Sequence, residues 1–158
     1  AIAAILAARQ RHHFLSVHKS GQVAIVDTLG NTDCHIILRG GSQPNYDQTS
    51  VEAACAELAR SNLPEWLMID LSHGNTPGGF QRQLVSGAAV AEQIAAGSAR
   101  IMGVAVESHL VEGRQDLRLD QPLVYGQSIT DACIGWEDSV RLLDQLAQAV
   151  RARRALAK

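Results

Sequence analysis

The sequence predicts an α/β fold of right-handed βαβ units on a parallel sheet, with room for about half of a (β/α) barrel. Three observations carry this. Apolar β-rich segments alternate with amphipathic helical ones, the order that produces parallel sheets. Arg39, His73 and Glu107 recur at a spacing of 34 residues, each at or just after the carboxyl end of an apolar segment. That end carries the catalytic groups in (β/α) barrels. Finally, the chain has 158 residues where a complete barrel needs about 250, and three or four inner strands are all that can be counted.

In chain order, Ala1 to Ala8 reads as the interior of an alanine-rich helix without an N-cap residue, so the chain is expected to begin in mid-domain. HFLSV (His13 to Val17) and VAIVDT (Val23 to Thr28) flank a KSG turn and read as a hairpin. CHIILRGG (Cys34 to Gly41) is a near-continuous apolar run, the pattern of a strand buried on both faces. A helix is expected from about Thr49 to Ser61, with Val51, Ala54, Cys55 and Leu58 on its inner face. WLMIDLSH (Trp66 to His73) repeats the buried-strand pattern. Phe80 to Ala96 then reads as a helix with Leu84, Ala88, Ala91 and Ile94 inward. IMGVAVESH (Ile101 to His109) is a further strand, followed by a long loop through Gly126. A last helix, about Glu137 to Ala155, is expected to bury Val140, Leu143, Leu146 and Val150.

Composition narrows the function classes only a little. The chain is 46% hydrophobic and 4% aromatic, with 14 basic and 16 acidic side chains, as in an ordinary soluble domain. A net charge of -2 gives no electrostatic footprint for nucleic acid. Cys34, Cys55 and Cys133 are odd in number and form no C-x-x-C pair, which argues against a disulfide framework or zinc ribbon and for a reducing cytoplasm. No apolar run reaches the roughly 20 residues of a membrane span, and the first residues lack a charged signal n-region. A chain that is neither secreted nor membrane-bound is expected.

The residues with chemistry sit at the strand ends. His73 follows LMIDLS, Glu107 closes MGVAV, and Asp131 stands in ITDACIGW before the last helix. One imidazole and two carboxylates suit a divalent first-row metal (Mn, Fe, Co or Zn) with positions open for substrate or water. By spacing alone, the same residues read slightly better as strand-end groups bonded to loop backbone. Arg39-Gly40-Gly41 places a fixed cation beside backbone that can approach a ligand closely, which suits phosphate. An Arg paired with a carboxylate before a glycine turn explains it equally well. His12 and His13 read as surface or packing residues. Arg114 in GRQD either covers a site or is solvated. The basic tail RARRALAK offsets a helix dipole.

At four segments the pattern stops being generic. CHIILRGGSQPNY, MIDLSHGN, GVAVESHLVEG and YGQSITDACIGWEDS resemble, in order and spacing, the carboxyl-terminal half of class I 3-deoxy-D-arabino-heptulosonate 7-phosphate (DAHP) synthase, also called phospho-2-dehydro-3-deoxyheptonate aldolase. The resemblance runs from about Ala1 to Arg154. It implies a (β/α)8 TIM barrel as a single catalytic domain, with residues 1–158 covering roughly its second half plus a regulatory β-hairpin and the amino-terminal half absent. The implied reaction is the first step of the shikimate pathway, in which phosphoenolpyruvate condenses with erythrose 4-phosphate and phosphate is released. A bound divalent metal is implied, which polarises the sugar aldehyde. His73, Glu107 and Asp131 match the family's metal ligands, and Arg39 matches a residue holding the phosphate of phosphoenolpyruvate. On this resemblance Arg39 and His73 are catalytic, and Arg39, His73 and Asp131 contact substrate. Phe14 and Ser16 fall where the family binds an aromatic amino acid as feedback inhibitor.

The family's fourth ligand is a cysteine from the amino-terminal half, and no cysteine here has its motif. Cys34 and Cys133 lie in matched motifs at non-ligand positions. The isolated chain is therefore expected to be inactive. A second reading is a non-catalytic half-barrel that associates, as a homo-oligomer or with a missing amino-terminal half, to cover open sheet edges. A third is another metal-dependent aldolase or lyase using the same three ligands.

Overall fold

The computed structural model describes residues 1–118 and 120–156. Two compact units divide the chain, Ala1–Ile36 and a larger one from Ile37 onward.

In the first unit, α1 (Ile2–Ala8) has no side-chain cap and buries Ile5. Strands β1 (His13–Val17) and β2 (Val23–Asp27) pair antiparallel, with Phe14 opposite Val26 and Ser16 opposite Ala24. Gly21, at φ +82°, closes the turn, and its N–H donates to His18 O at 2.8 Å. The expected hairpin is present. Its two faces differ, because Leu15, Val17, Val23 and Ile25 are 66–75% exposed while Ser16, Ala24 and Val26 are half-buried.

In the second unit, β3 (Ile36–Leu38, all but its first residue), β4 (Leu67–Asp70) and β5 (Ile101–Ala105) form a three-stranded sheet in that order, with β4 and β5 parallel. The central strand carries the expected double burial, since Leu67 and Ile69 have no exposed surface on one face and, on the other, Asp70 is 5% exposed beside a half-buried Met68. β3 corrects the expectation for Cys34 to Gly41. Only three residues are strand, and Ile37 is 50% exposed, because β3 lies at the sheet edge and pairs with β4 alone among the described residues.

Helix α2 (Gln48–Arg60) buries Val51, Cys55 and Leu58, close to the expected face. Asp47 caps it by accepting from Ser50 N–H at 2.9 Å, the usual remedy for an orphan first-turn donor. A short 3-10 turn (Phe80–Arg82) leads into α3 (Gln83–Ala95). The buried stripe of α3 is Gln83, Ser86, Gly87, Val90, Ala91 and Ile94, rotated from the expected one, so that Leu84 and Ala88 are only half-buried.

Helix α4 (Trp136–Leu156) holds the larger correction. It buries Ser139, Leu142 and Ala149, whereas Val140 and Leu143 are 48% and 58% exposed. α4 carries two adjacent apolar stripes, and contact with α3 selects between them. Leu142 packs onto Gly87 so closely that a Cβ there would lie 2.4 Å from Leu142 Cδ1. Within the expected loop through Gly126 lies β6 (Val111–Arg114), which pairs with β7 (Gln127–Ser128) just beyond it. Neither strand has an apolar alternation that periodicity would detect. No described helix is long and apolar enough to cross a membrane.

Candidate metal centre

Three polypeptide segments converge beyond the sheet's carboxyl end. β4 ends at Asp70, and the chain turns through Ser72 into a short 3-10 helix, His73–Asn75. His73 adopts φ +52°, a left-handed conformation uncommon for a non-glycine residue. The turn is held from several sides. Asn75, 1% exposed, donates from Nδ2 to Asp70 O at 2.7 Å and to Leu38 O at 3.2 Å, and its Oδ1 accepts from Asn45 N–H at 2.8 Å. Asn45 Oδ1 in turn accepts from Gly40 N–H at 2.8 Å. Gly40, at φ +72°, meets Gly74 backbone to backbone, and a Cβ on Gly40 would lie 2.3 Å from Gly74 C. The loop after β3 and the loop after β4 are thus locked together, at the residues that directly follow Arg39 and His73.

The strand expected through His109 stops at Ala105, and a different device positions Glu107. Gln83, fully buried at the start of α3, accepts from Glu107 N–H at 2.9 Å and donates to Glu107 O at 3.0 Å. Ile134 N–H also donates to Glu107 O, at 2.9 Å. That bond ties the segment carrying Asp131 to the segment carrying Glu107.

These supports bring the three candidate ligands together. One donor atom from each of His73, Glu107 and Asp131 lies within 4.8 Å of the others. His73 Nε2 is 3.7 Å from Glu107 Oε1 and 3.6 Å from Asp131 Oδ2. Ligands about 2.0–2.2 Å from a shared ion are roughly 3.0–3.6 Å apart when adjacent, so the two His73 pairs are close to the spacing of a shared ion, while the two carboxylates are within 4.8 Å of each other. The donor set also fits a divalent ion chemically, since two carboxylates and an imidazole nitrogen face one cleft of about 180 Å³ lined further by Ser72, Thr76 and Phe80. Glu107 and Asp131 are progressively more exposed than His73, at 35%, 64% and 23% of the side chain respectively. The cluster therefore opens on the Asp131 side.

Arg39 is 64% exposed, with Nε 3.6 Å from Asp70 Oδ2. The pairing with a carboxylate and the glycine turn expected from the sequence are both present, and the guanidinium is left largely exposed. Cys133 is buried beside the cluster, donating to Asp131 O at 3.4 Å with its sulfur 4.0 Å from Glu107 Oε2. Burial pushes its thiol pKa up, and the Glu107 and Asp131 carboxylates add to the rise. Phe14 and Ser16 share one face of β1, two residues apart. His12 bonds Ala7 O and His13 lies near Asp27, both exposed, while Arg114 pairs with Asp116 at 2.6 Å. Sequence reasoning passed over Asp70, Asn75 and Gln83. A carboxylate three residues before a strand-end His was the one signal available for Asp70; a buried Gln at a helix start has no comparable signature.

A parallel α/β sheet with an imidazole and two carboxylates gathered beyond its carboxyl end defines an α/β protein with a candidate metal centre. The model of the DAHP synthetase I family matches residues 1–144, and the chain belongs to that family. It is 56% identical over 154 residues to the Phe-sensitive phospho-2-dehydro-3-deoxyheptonate aldolase of Escherichia coli K12, covering 98% of this chain and 44% of that protein. The Trp-sensitive aldolase of the same strain is 50% identical over 153 residues, covering 97% and 44%. A solved structure of phospho-2-dehydro-3-deoxyheptonate aldolase from Francisella tularensis SCHU S4 superposes with a TM-score of 0.90 at 44% identity, over 97% of this chain and 45% of that one. The chain spans less than half the length of these relatives.

Proposed function

We propose that this chain forms the metal-binding carboxyl-terminal half of a (β/α)8 DAHP synthase domain, which condenses phosphoenolpyruvate with erythrose 4-phosphate and releases phosphate. The observation that carries the reading is the convergence of His73, Glu107 and Asp131 within 4.8 Å in a chain of this family. His73 Nε2 and one oxygen each of Glu107 and Asp131 would hold a divalent ion, Mn, Fe, Co or Zn. When bound, it supplies Lewis-acid polarisation of the sugar aldehyde. Arg39 binds the phosphate of phosphoenolpyruvate, its guanidinium being a fixed, always-charged donor fork. The lock between Gly40 and Gly74 joins the residues that directly follow Arg39 and His73, so the backbone supports the positioning of carbon 3 of phosphoenolpyruvate against the aldehyde. Asp131, the most exposed of the three, faces the side from which the sugar phosphate enters and accepts from its hydroxyls.

Phe14 and Ser16, on one hairpin face, line the pocket for an aromatic amino-acid inhibitor. Relatives named Phe-sensitive and Trp-sensitive support this reading. The exposed apolar face of Leu15, Val17, Val23 and Ile25 favours coverage by further protein, either another segment of the enzyme or a second copy. A cytoplasmic setting suits the free thiols of Cys34, Cys55 and Cys133.

The 158 residues alone are expected to give no turnover, because three ligands and one substrate cation hold two anionic substrates poorly. The decisive test is a chimera in which residues 1–154 replace the matching segment of the Phe-sensitive E. coli relative. Phosphate release from both substrates with Mn2+ is expected, falling at least about 100-fold in the His73→Ala chimera. A folded chimera without activity, or one indifferent to His73→Ala, would overturn the reading.

A further inference from the structure

We propose that Asp70 is a positioning residue for the metal centre, holding the His73 imidazole so that Nε2, not Nδ1, faces Glu107 and Asp131. This rests on the metal-binding reading above.

Asp70 is 5% exposed, and a buried carboxylate is costly unless its oxygens are bonded or paired. Both are bonded. Oδ1 accepts from Ser72 N–H at 2.9 Å and from Ser72 Oγ–H at 2.6 Å. Oδ2 lies 2.7 Å from His73 Nδ1 and 3.6 Å from Arg39 Nε. A carboxylate oxygen only accepts, so the contact at 2.7 Å is a hydrogen bond in the tautomer that carries the proton on Nδ1. The lone pair of the neutral ring is then on Nε2, which is the atom 3.6–3.7 Å from the other two carboxylates. Ser72 Oγ, 2.7 Å from Nδ1, braces the same edge of the ring.

Rotating the imidazole would break this bond and leave Oδ2 of the buried carboxylate with only Arg39 Nε, 3.6 Å away. The strained φ of +52° at His73 is therefore held by a side-chain partner as well as by the backbone around Asn75. The same carboxylate forms a loose ion pair with Arg39, 3.6 Å from its Nε. Such outer carboxylates fix ligand tautomer and raise ligand basicity, and their loss typically weakens metal binding about 10–100-fold.

The test uses the full chain and Mn2+ alone, with free Mn2+ followed by its electron paramagnetic resonance signal. Asp70→Asn keeps the shape and one acceptor but removes the charge. We expect it to weaken Mn2+ binding roughly 10–100-fold with little change in the circular dichroism spectrum. Unchanged affinity in a folded Asp70→Asn chain overturns the inference, provided His73→Ala abolishes binding. Mn2+ binding that is absent from the wild-type chain, or indifferent to His73→Ala, overturns the metal reading itself. If Asp70→Asn fails to fold, two-bond proton–nitrogen correlation on the Zn2+-loaded wild-type chain decides. A proton on His73 Nδ1 with the metal on Nε2 supports the assignment, and the metal on Nδ1 refutes it.

Discussion

Gln83 closes two hydrogen bonds on the backbone of Glu107, accepting from its N–H at 2.9 Å and donating to its carbonyl at 3.0 Å. The side chain is wholly buried and takes the place of a neighbouring strand just where β5 has ended. The two bonds are not equally replaceable, because Glu107 O also accepts from Ile134 N–H. Gln83→Leu should therefore orphan chiefly the Glu107 N–H. The expected cost is about 1–3 kcal/mol, read from urea denaturation of the metal-free chain. A variant as stable as wild type would show that the clamp contributes nothing.

The lock between the two loops predicts a contrast between adjacent glycines. A Cβ at Gly40 would sit 2.3 Å from Gly74 C and 2.6 Å from Asn75 N, both backbone, at a φ of +72°. Left-handed strain and overpacking together give about 2–4 kcal/mol of destabilisation for Gly40→Ala. Nothing lies within 4 Å of a Cβ at Gly41, so Gly41→Ala should stay within about 0.5 kcal/mol of wild type. Equal effects at the two positions in thermal unfolding would contradict the packing described.

A metal that binds only the folded chain raises its stability by mass action. With Mn2+ at about 100 times its dissociation constant the gain is about 2.7 kcal/mol, or roughly 5–10 °C in Tm for a domain of this size. A chelator should reverse it. Glu107→Ala and Asp131→Ala should each shrink the shift at fixed Mn2+, and a full shift in either variant would remove that residue from the site.

Asp47 supplies a pH dependence with a definite sign. Its side-chain and backbone hydrogen bonds from Ser50 hold the carboxyl below its ordinary value of 3.8. A lowered folded-state pKa stabilises above the unfolded value, and the contribution is lost as pH falls through the folded one. Asp47→Ala should then cost about 1 kcal/mol at pH 7, with the gap to wild type narrowing below pH 3.8. A gap that is constant down to pH 3 would assign the effect to something other than the ionised cap.

Element order and type were legible from the sequence where local pattern suffices. The 13-residue helix α2 and the hairpin around Gly21 declare themselves through neighbours one to four residues away, although the Asp47 cap was not singled out. So does the end of β4 before His73, because Leu67, Met68 and Ile69 are apolar on both faces and the polar residues fall at the boundary, whereas β5 ends at Ala105, short of the expected His109. Motif resemblance then singled out Arg39, His73, Glu107 and Asp131 before any geometry was known.

What local pattern could not decide is set by contacts between distant segments. Helix α4 offers two stripes, and only Gly87 of α3, lacking a Cβ, makes Leu142 rather than Val140 or Leu143 the buried one. Gln83 and Asp70 look like ordinary polar residues in sequence. They acquire their roles because folding brings Gln83 to a backbone 24 residues away and buries Asp70 against a ring whose orientation it dictates. The sequence by itself determined which side chains reach the sheet's carboxyl end. Only the tertiary structure decided how they are held there, since a buried hydrogen bond between segments has direction and geometry, and no residue spacing encodes either.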